Sequence, residues 1–169
     1  FKTDLEAGLV WQPISNLKME AKALFSDRNG WLIHQEDKNF TEFKAAVWQP
    51  QLRLEFFPTA MQQFQIALQW VGIRAKEDRF YALPGGSNDL VEVVNPNLPG
   101  DTDDFSILQL NFQVRYRWQI APLSDLFIVY TKGGSKRTDL SSFTDMFRNS
   151  WKNPLGDQLV IKLRYRFGS

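Results

Sequence analysis

The chain of 169 residues carries 20 Lys and Arg, 19 Asp and Glu and one His, which gives a net charge near +1 at pH 7. This balance supplies no overall field for nucleic acid, so we expect no nucleic-acid partner. The chain has no cysteine, which excludes disulfides and thiolate chemistry. It also has no apolar run long enough for a membrane-spanning helix.

Alternating apolar and polar residues predict seven β-strands. The clearest is the fifth, in which every even position from Leu108 to Ile120 is apolar and the odd positions hold Gln, Asn or Arg. In chain order the strands are expected at about residues 1–11, 17–25, 40–57 (clearest over 46–56), 63–70, 108–120, 126–131 and 159–167. The fifth strand is about twice the usual length, which is typical of strands that cross a membrane.

The predicted connections alternate between short and long. Short turns are expected near residues 12–16, 58–61 and 121–125, and long loops at 26–39, 74–104 and 132–156. Because proline cannot donate to a ladder, Pro50 predicts a bulge or an irregular pairing in the third strand. Residues 140–151 are expected to form a short helix in the last loop, capped by Asp139 or Ser141.

These features predict an all-β fold, an antiparallel transmembrane β-barrel segment with short periplasmic turns and long extracellular loops. The alternative is a soluble sandwich or a lipocalin-like barrel, because alternation alone does not say which face is inside. Long strands, alternating connections and aromatic residues near strand ends favour the membrane. The aromatic residues expected at the membrane interfaces include Trp11, Trp48, Trp70, Phe105, Trp118, Phe127 and Phe167.

The predicted strands are odd in number, whereas single-chain bacterial barrels have an even number. If the last strand ends in the periplasm, the first strand begins outside the cell. We therefore expect residues 1–169 to be the C-terminal part of one larger outer-membrane barrel domain, with upstream strands and any periplasmic domain absent.

Three segments carry a resemblance to a known family: FTEFKAAVWQPQLRLEFFPTAMQQFQIALQWVGIRA, FQVRYRWQIAPLSDLFIVYTKGG and LVIKLRYRFGS. From about residue 30 onward the chain resembles the C-terminal barrel region of large bacterial outer-membrane proteins of unknown function, in which a carbohydrate-binding-module-like domain precedes the barrel. The resemblance implies a location in the Gram-negative outer membrane and an N-terminal part as partner. The last strand also looks like a signal for the barrel assembly machinery, although Gly168 and Ser169 follow its final aromatic residue.

A basic cluster is expected on the polar side of the predicted wall, near the periplasm, from Arg115, Arg117, Lys162, Arg164 and Arg166. Confined guanidinium groups favour anionic or hydroxyl-rich solutes. The alternative is that they pair with carboxylates such as Asp125 or Glu55. Uncharged side chains are expected beside them, either to bind sugar hydroxyls or to form a wetted lumen wall: Gln63, Gln65, Gln69, Asn111 and Gln113.

We expect no enzymatic activity, no cofactor and no metal site. The alternative is an outer-membrane hydrolase that uses the loop residue His34 with carboxylates, namely Glu36, Asp37, Asp101, Asp103 and Asp104. A single histidine without an orienting partner argues against that activity. Loop carboxylates could hold Ca²⁺ weakly, but no calcium-loop pattern is present.

The sequence therefore predicts an outer-membrane pore or transport component, with oligosaccharides or anionic solutes as the candidate substrates. The alternative is a non-conducting anchor or scaffold, whose loops or periplasmic domain bind a partner or a glycan. In both cases outer-membrane lipid and lipopolysaccharide are expected to surround the protein.

Overall fold

The structure is a computed structural model that describes residues 1–86, 88–139 and 141–167. These residues form one antiparallel sheet and one helix, so the predicted all-β class is confirmed. The strands are β1 (Lys2–Ile14), β2 (Leu17–His34), β3 (Asn39–Thr59), β4 (Gln62–Ala82), β5 (Val91–Val93), β6 (Phe105–Ala121), β7 (Ser124–Thr138) and β8 (Gly156–Arg164). The helix α1 (Phe143–Lys152) lies between β7 and β8.

The long strands pair in the order β1-β2-β3-β4-β6-β7-β8, and the short β5 pairs with β4. The sheet is therefore an up-and-down meander whose edges are β1 and β8. These two edges are not paired with each other, so the sheet is open. The path from β1 to β8 contains seven long strands, and each is antiparallel to its neighbour. Because seven is an odd number, β1 and β8 run in the same direction.

The two ends of the sheet differ. At one end, called the turn end, the connections are two residues long, at 15–16, 60–61 and 122–123. At the other end, called the loop end, they are residues 35–38, residues 83–104 with β5, and residues 139–155 with α1. The predicted short turns are confirmed to within a few residues.

Two predicted loops begin with long continuations of the preceding strand. β2 continues to His34 and β4 continues to Ala82, although loops were expected to begin at residues 26 and 74. Register shifts lie in these extensions, between Arg28 and Trp31 in β2 and at the β3–β4 pairing near Phe43. A bulge changes the phase of the alternation. The alternation of apolar and polar residues is therefore interrupted at these positions, although the strands themselves continue.

Of the two alternatives predicted for Pro50, a bulge and an irregular pairing, the structure has the second: the β3–β4 ladder has no pair at residues 49 and 50, and there is no bulge. Trp48 pairs with Gly72 and Gln51 pairs with Gln69, so the β3–β4 register is the same on both sides of the proline. Pro50 itself pairs with Ala23 of β2 in unbroken register. A missing N–H removes a ladder hydrogen bond without adding a residue, so the strand stays in phase.

The end of the chain also differs in detail from the prediction. β8 ends at Arg164 and not at Phe167, while Gly168 and Ser169 of the predicted assembly signal lie outside the described residues. The predicted helix is confirmed, but Ser142 occupies the N-cap and makes no side-chain capping hydrogen bond. Leu140, its predicted first residue, also lies outside the described part.

The two faces of the sheet are distinct. One face carries Gln51, Gln69, Asn111 and Gln113 and is called the glutamine face. The other is called the leucine face, and over the half of the strands nearer the turn end it is apolar. Its side chains there include Leu5, Leu9, Met19, Phe25, Leu52, Leu54, Ile66, Leu68, Leu110, Phe112, Ile128, Ile161 and Leu163.

Toward the loop end the two faces exchange character. The leucine face turns polar, with Lys44, Arg74, Lys76, Ser106 and Lys136. The glutamine face turns apolar and forms a buried cluster of Phe43, Ala45, Ala75 and Phe105, against which Ile33 and Ile107 pack. The environment on each side of the sheet therefore changes part-way along the same strands.

Helix α1 covers the leucine face where the apolar stretch ends. Met146 of α1 is fully buried and forms a cluster with Trp70, Leu108 and Leu110. The indole of Trp70 makes edge contacts with Phe143 and Phe147 of the helix. These helix residues recur at spacings of three and four, so one face of α1 is apolar and meets the sheet.

Gly72 is required by this packing. A Cβ at this position would lie 2.3 Å from a ring atom of Trp70 and 2.9 Å from Phe143. Real side chains do not tolerate such a short contact, so a glycine in β4 makes space for both rings. The helix position is thus encoded in the strand as well as in the helix.

Candidate functional site

A concavity lies on the glutamine face, across β2, β3, β4 and β6. It has a volume of about 460 Å³, and its lining includes Glu20, Lys22, Gln51, Arg53, Gln69, Asn111, Gln113 and Arg115. We call it the amide groove. A second concavity of about 310 Å³ continues it toward the turn end and adds Glu55 and Gln65.

Strand register places the groove residues in straight rows. One row runs from Lys22 of β2 through Gln51 and Gln69 to Asn111 of β6. Directly opposite residues in an antiparallel pair have Cβ atoms about 5 Å apart. Adjacent amides at this spacing offer alternating donors and acceptors along a line, which suits hydroxyl-rich ligands and water equally well.

The next rows toward the turn end carry charge of both signs. Glu20, Arg53 and Gln113 share one row, and Glu55, Gln65 and Arg115 share the next. Gln65 donates a hydrogen bond from its amide to Glu55 Oε1 at 3.2 Å. The groove therefore passes from a section of amides with one cation, Lys22, to a section that carries charges of both signs.

At the turn end a carboxylate joins three strands. Asp125 of β7 has a side chain only 2% exposed, and its Oδ1 accepts hydrogen bonds from Arg117 Nε at 3.1 Å and Nη2 at 3.0 Å. Arg164 of β8 donates to its Oδ2. We call these three residues the Asp125 clamp. Next to it, the Arg166 backbone N–H donates to Ser124 Oγ at 3.0 Å.

The predicted basic cluster is therefore divided. Arg117 and Arg164 come together, but on Asp125, as the pairing alternative expected. Arg115 lines the amide groove, and Lys162 lies opposite Phe127 in the β7–β8 ladder. Arg166 lies beyond the end of β8. Of the five cations, Arg115 is the one that the structure places in the groove.

Four of the predicted uncharged residues line the concavities of this face: Gln65, Gln69, Asn111 and Gln113. Gln63 lies nearer the turn end, in a cleft with Arg115 and Arg117. Gln113 also donates to Thr131 Oγ1 at 3.3 Å. The groove residues of β2 and β3, above all Lys22, Gln51 and Arg53, were missed as site residues. Counting outward from the two-residue turns would have placed them in the same rows across the sheet as Gln69 and Gln113.

The aromatic residues occupy several environments. Trp11, Trp118 and Phe167 are exposed. Trp48 is half-buried beside the α1 cluster, and Trp70 is 1% exposed beneath α1, so Trp70 is not the open interface residue that was expected. Phe105 and Phe127 lie on the glutamine face, where Phe127 contacts the guanidinium of Arg117 at 5.8 Å, so neither belongs to an aromatic belt on the apolar side.

The residues of the hydrolase alternative hold loops in place. His34 Nε2 lies 3.0 Å from the carbonyl oxygen of Asp37 in the β2–β3 connection. Asp103 accepts from Thr41 Oγ1 at 2.6 Å, and Asp104 accepts from the Glu77 backbone N–H at 2.7 Å. The loop before β6 is thereby fastened over the glutamine face at the loop end.

Within the described residues, no group of three or more His, Asp or Glu side chains is arranged to hold a metal ion. None of the described helices is long and apolar enough to cross a membrane. No family model, no curated protein and no solved structure matches this chain. A hypothesis about the function of this chain therefore depends on the geometry of the sheet and its two faces.

Proposed function

We propose that this sheet is part of the wall of an outer-membrane β-barrel, with the leucine face toward lipid and the glutamine face toward the lumen. The observation that carries the proposal is the exchange of character between the faces. In a soluble sandwich, the face packed on the core is apolar along the whole strand. Here the same face is apolar near the turn end and carries Lys44, Arg74 and Lys76 near the loop end.

The length of the apolar stretch supports a membrane. On β2, outside the α1 cluster, it runs from Leu17 to Phe25. With a rise of about 3.4 Å per residue and a tilt of about 40°, this stretch climbs about 21 Å, close to the height of about 25 Å of the apolar band on outer-membrane barrels. The short connections lie at one end and the long ones at the other, as the periplasmic turns and extracellular loops of such barrels do.

The amide groove supports a role in solute passage. A groove lined by Gln51, Gln69 and Asn111 holds water or hydroxyl groups without a strong charge preference. Arg115 and Arg53 stand at its turn-end side, where they would favour anionic solutes. We therefore propose a pore or transport component for hydroxyl-rich or anionic solutes, oligosaccharides included.

Ion conductance across planar bilayers tests this proposal. Arg115→Glu reverses one charge in the groove, and we expect it to shift ion selectivity toward cations while the channel still opens. The control is Lys76→Glu, an equal charge change at an exposed position on the leucine face, which should leave selectivity unchanged. Absence of conductance in the folded wild-type protein would overturn the transport proposal.

A second function, a non-conducting anchor, is favoured by one observation. The cluster of Phe43, Ala45 and Phe105 fills the glutamine face at the loop end, and the loop that contains Asp103 folds over it. If this closure seals the lumen, the loops serve binding and not transport. A membrane-inserted protein that conducts no ions but conducts after Asp103→Ala would identify the loop as the seal.

A further inference from the structure

The surroundings of α1 combine an apolar surface with a group of cations. The helix lies on the leucine face at the end of the apolar stretch, over Trp70, Leu108 and Leu110. Several cations surround it. They are Arg74, Lys76, Lys132 and Lys136 from β4 and β7, and Lys152 from the helix, and we call them the cationic rim.

Two of the rim cations contact aromatic rings. The guanidinium of Arg74 lies 5.2 Å from the Phe143 ring, and the ammonium of Lys132 lies 5.2 Å from the Trp151 ring. Trp151 is 38% exposed beside this lysine. A tryptophan next to a lysine is the combination that membrane interfaces select, because the ring suits the headgroup level and the cation meets lipid phosphate.

The carboxylates near the rim neutralise it only in part. Asp157 lies 4.0 Å from Lys132, and Asp145 is paired with Arg148 at 3.1 Å. Asp104 and Asp139 line the cleft beside Arg74. Lys76, Lys136 and Lys152 are exposed, and the structure assigns none of them an ion pair within 4 Å among the described residues. Positive charge therefore dominates next to the apolar surface.

We propose that the cationic rim binds the phosphate groups of anionic lipid in the leaflet at the loop end, with α1 lying among the headgroups. This inference rests on the proposed membrane function. It places the helix at the lipid–water boundary. It also predicts that anionic lipid binds beside β4, β6 and β7 and not elsewhere on the leucine face. Near a charged bilayer each Lys or Arg contributes about fivefold to binding, and salt screens the effect.

Lipid retention tests the inference. The protein is folded into phosphatidylcholine vesicles that contain a minor fraction of bisphosphorylated lipid A, then extracted in detergent, and the lipid A that stays bound is counted by native mass spectrometry. We expect the wild-type protein to retain lipid A. The variant Lys76→Gln, Lys136→Gln, Lys152→Gln should lose at least about tenfold in retention.

The matched control removes the same charge elsewhere, with Lys18→Gln, Lys22→Gln and Lys162→Gln. It should retain lipid A like the wild type, since these lysines lie on the glutamine face, away from the loop end. Equal retention by both triple variants would overturn the inference, as would displacement of the lipid by inorganic phosphate alone. Insertion without lipid A retention overturns this inference only, whereas failure to insert into phosphatidylcholine overturns the membrane proposal as well.

Discussion

The indole N–H of Trp70 donates to the hydroxyl oxygen of Ser150 at 3.1 Å, which ties β4 to α1 across 80 residues of chain. The same hydroxyl donates to the carbonyl oxygen of Phe147 at 2.8 Å. The only polar atom of a buried tryptophan is therefore satisfied by the helix that buries it. Position and orientation of α1 on the sheet follow from this bond together with the contacts of Met146.

Ser150→Ala should loosen the helix. The substitution leaves the indole N–H of Trp70 buried without an acceptor, which costs about 1–3 kcal/mol. We expect faster amide hydrogen exchange in α1 and a lower free energy of unfolding in denaturant. Thr144→Ala, at an exposed position of the same helix, is the control and should change neither quantity by more than about 0.5 kcal/mol.

Gly72→Ala should displace α1, because its Cβ would meet the rings of Trp70 and Phe143. Limited proteolysis of the connection between β7 and β8 measures the displacement, and we expect cleavage to become faster. Gly8→Ala is the matched strand control, because its nearest neighbour atom would be an ordinary 3.5 Å away. Cleavage rates that are equal in both variants would show that the space at Gly72 is not needed.

Asp125→Asn should destabilise the junction of β6, β7 and β8. The amide keeps the shape of the clamp but removes the charge that Arg117 and Arg164 share, and hydrogen bonds to charged groups contribute about 1.5–3 kcal/mol. The urea midpoint of unfolding should fall. Asp157→Asn removes a 4.0 Å pair whose carboxylate is 51% exposed, so its effect should stay within about 1 kcal/mol.

Single cysteines can map the environment along β4, since the chain contains no native cysteine. Spin labels at Ile66, Gln65 and Lys76 report the three environments that the membrane proposal expects. We predict high oxygen and low nickel-chelate accessibility at Ile66, and the reverse at Gln65 and Lys76. Similar nickel accessibility at Ile66 and Lys76 would show that no lipid boundary lies between them.

The strands were predicted most accurately in the half of the sheet nearer the turn end, where each face keeps one character. Between the two-residue turns and the level of Trp70, apolar and polar positions alternate along most strands, and the strands of this half were predicted; β7 is an exception, because residues 126–130 are all apolar. The pairing of Arg117 and Arg164 with Asp125 was also within reach as an alternative, because the turn after β6 is short and fixes the register.

The loop-end half of the sheet was not predicted, for two physical reasons. Bulges near Trp31 and Phe43 shift the phase, so the period of two no longer continues from the first half. The leucine face also turns polar there, with Lys44 and Arg74 on the same face that carries leucines nearer the turn end. In a sequence, a run of polar residues is typical of a loop. The docking of α1 depends on contacts far apart in the chain, which a local pattern does not contain.

The common direction of β1 and β8 restricts what can stand beside this sheet. Both edges run from the loop end to the turn end, so any strand that pairs with either of them antiparallel must run from the turn end to the loop end. A second copy in the same orientation presents only edges that run in the same direction, so the two copies would meet in a parallel pairing. Chain direction therefore limits which strands can pair with either edge of the sheet, whatever their side chains.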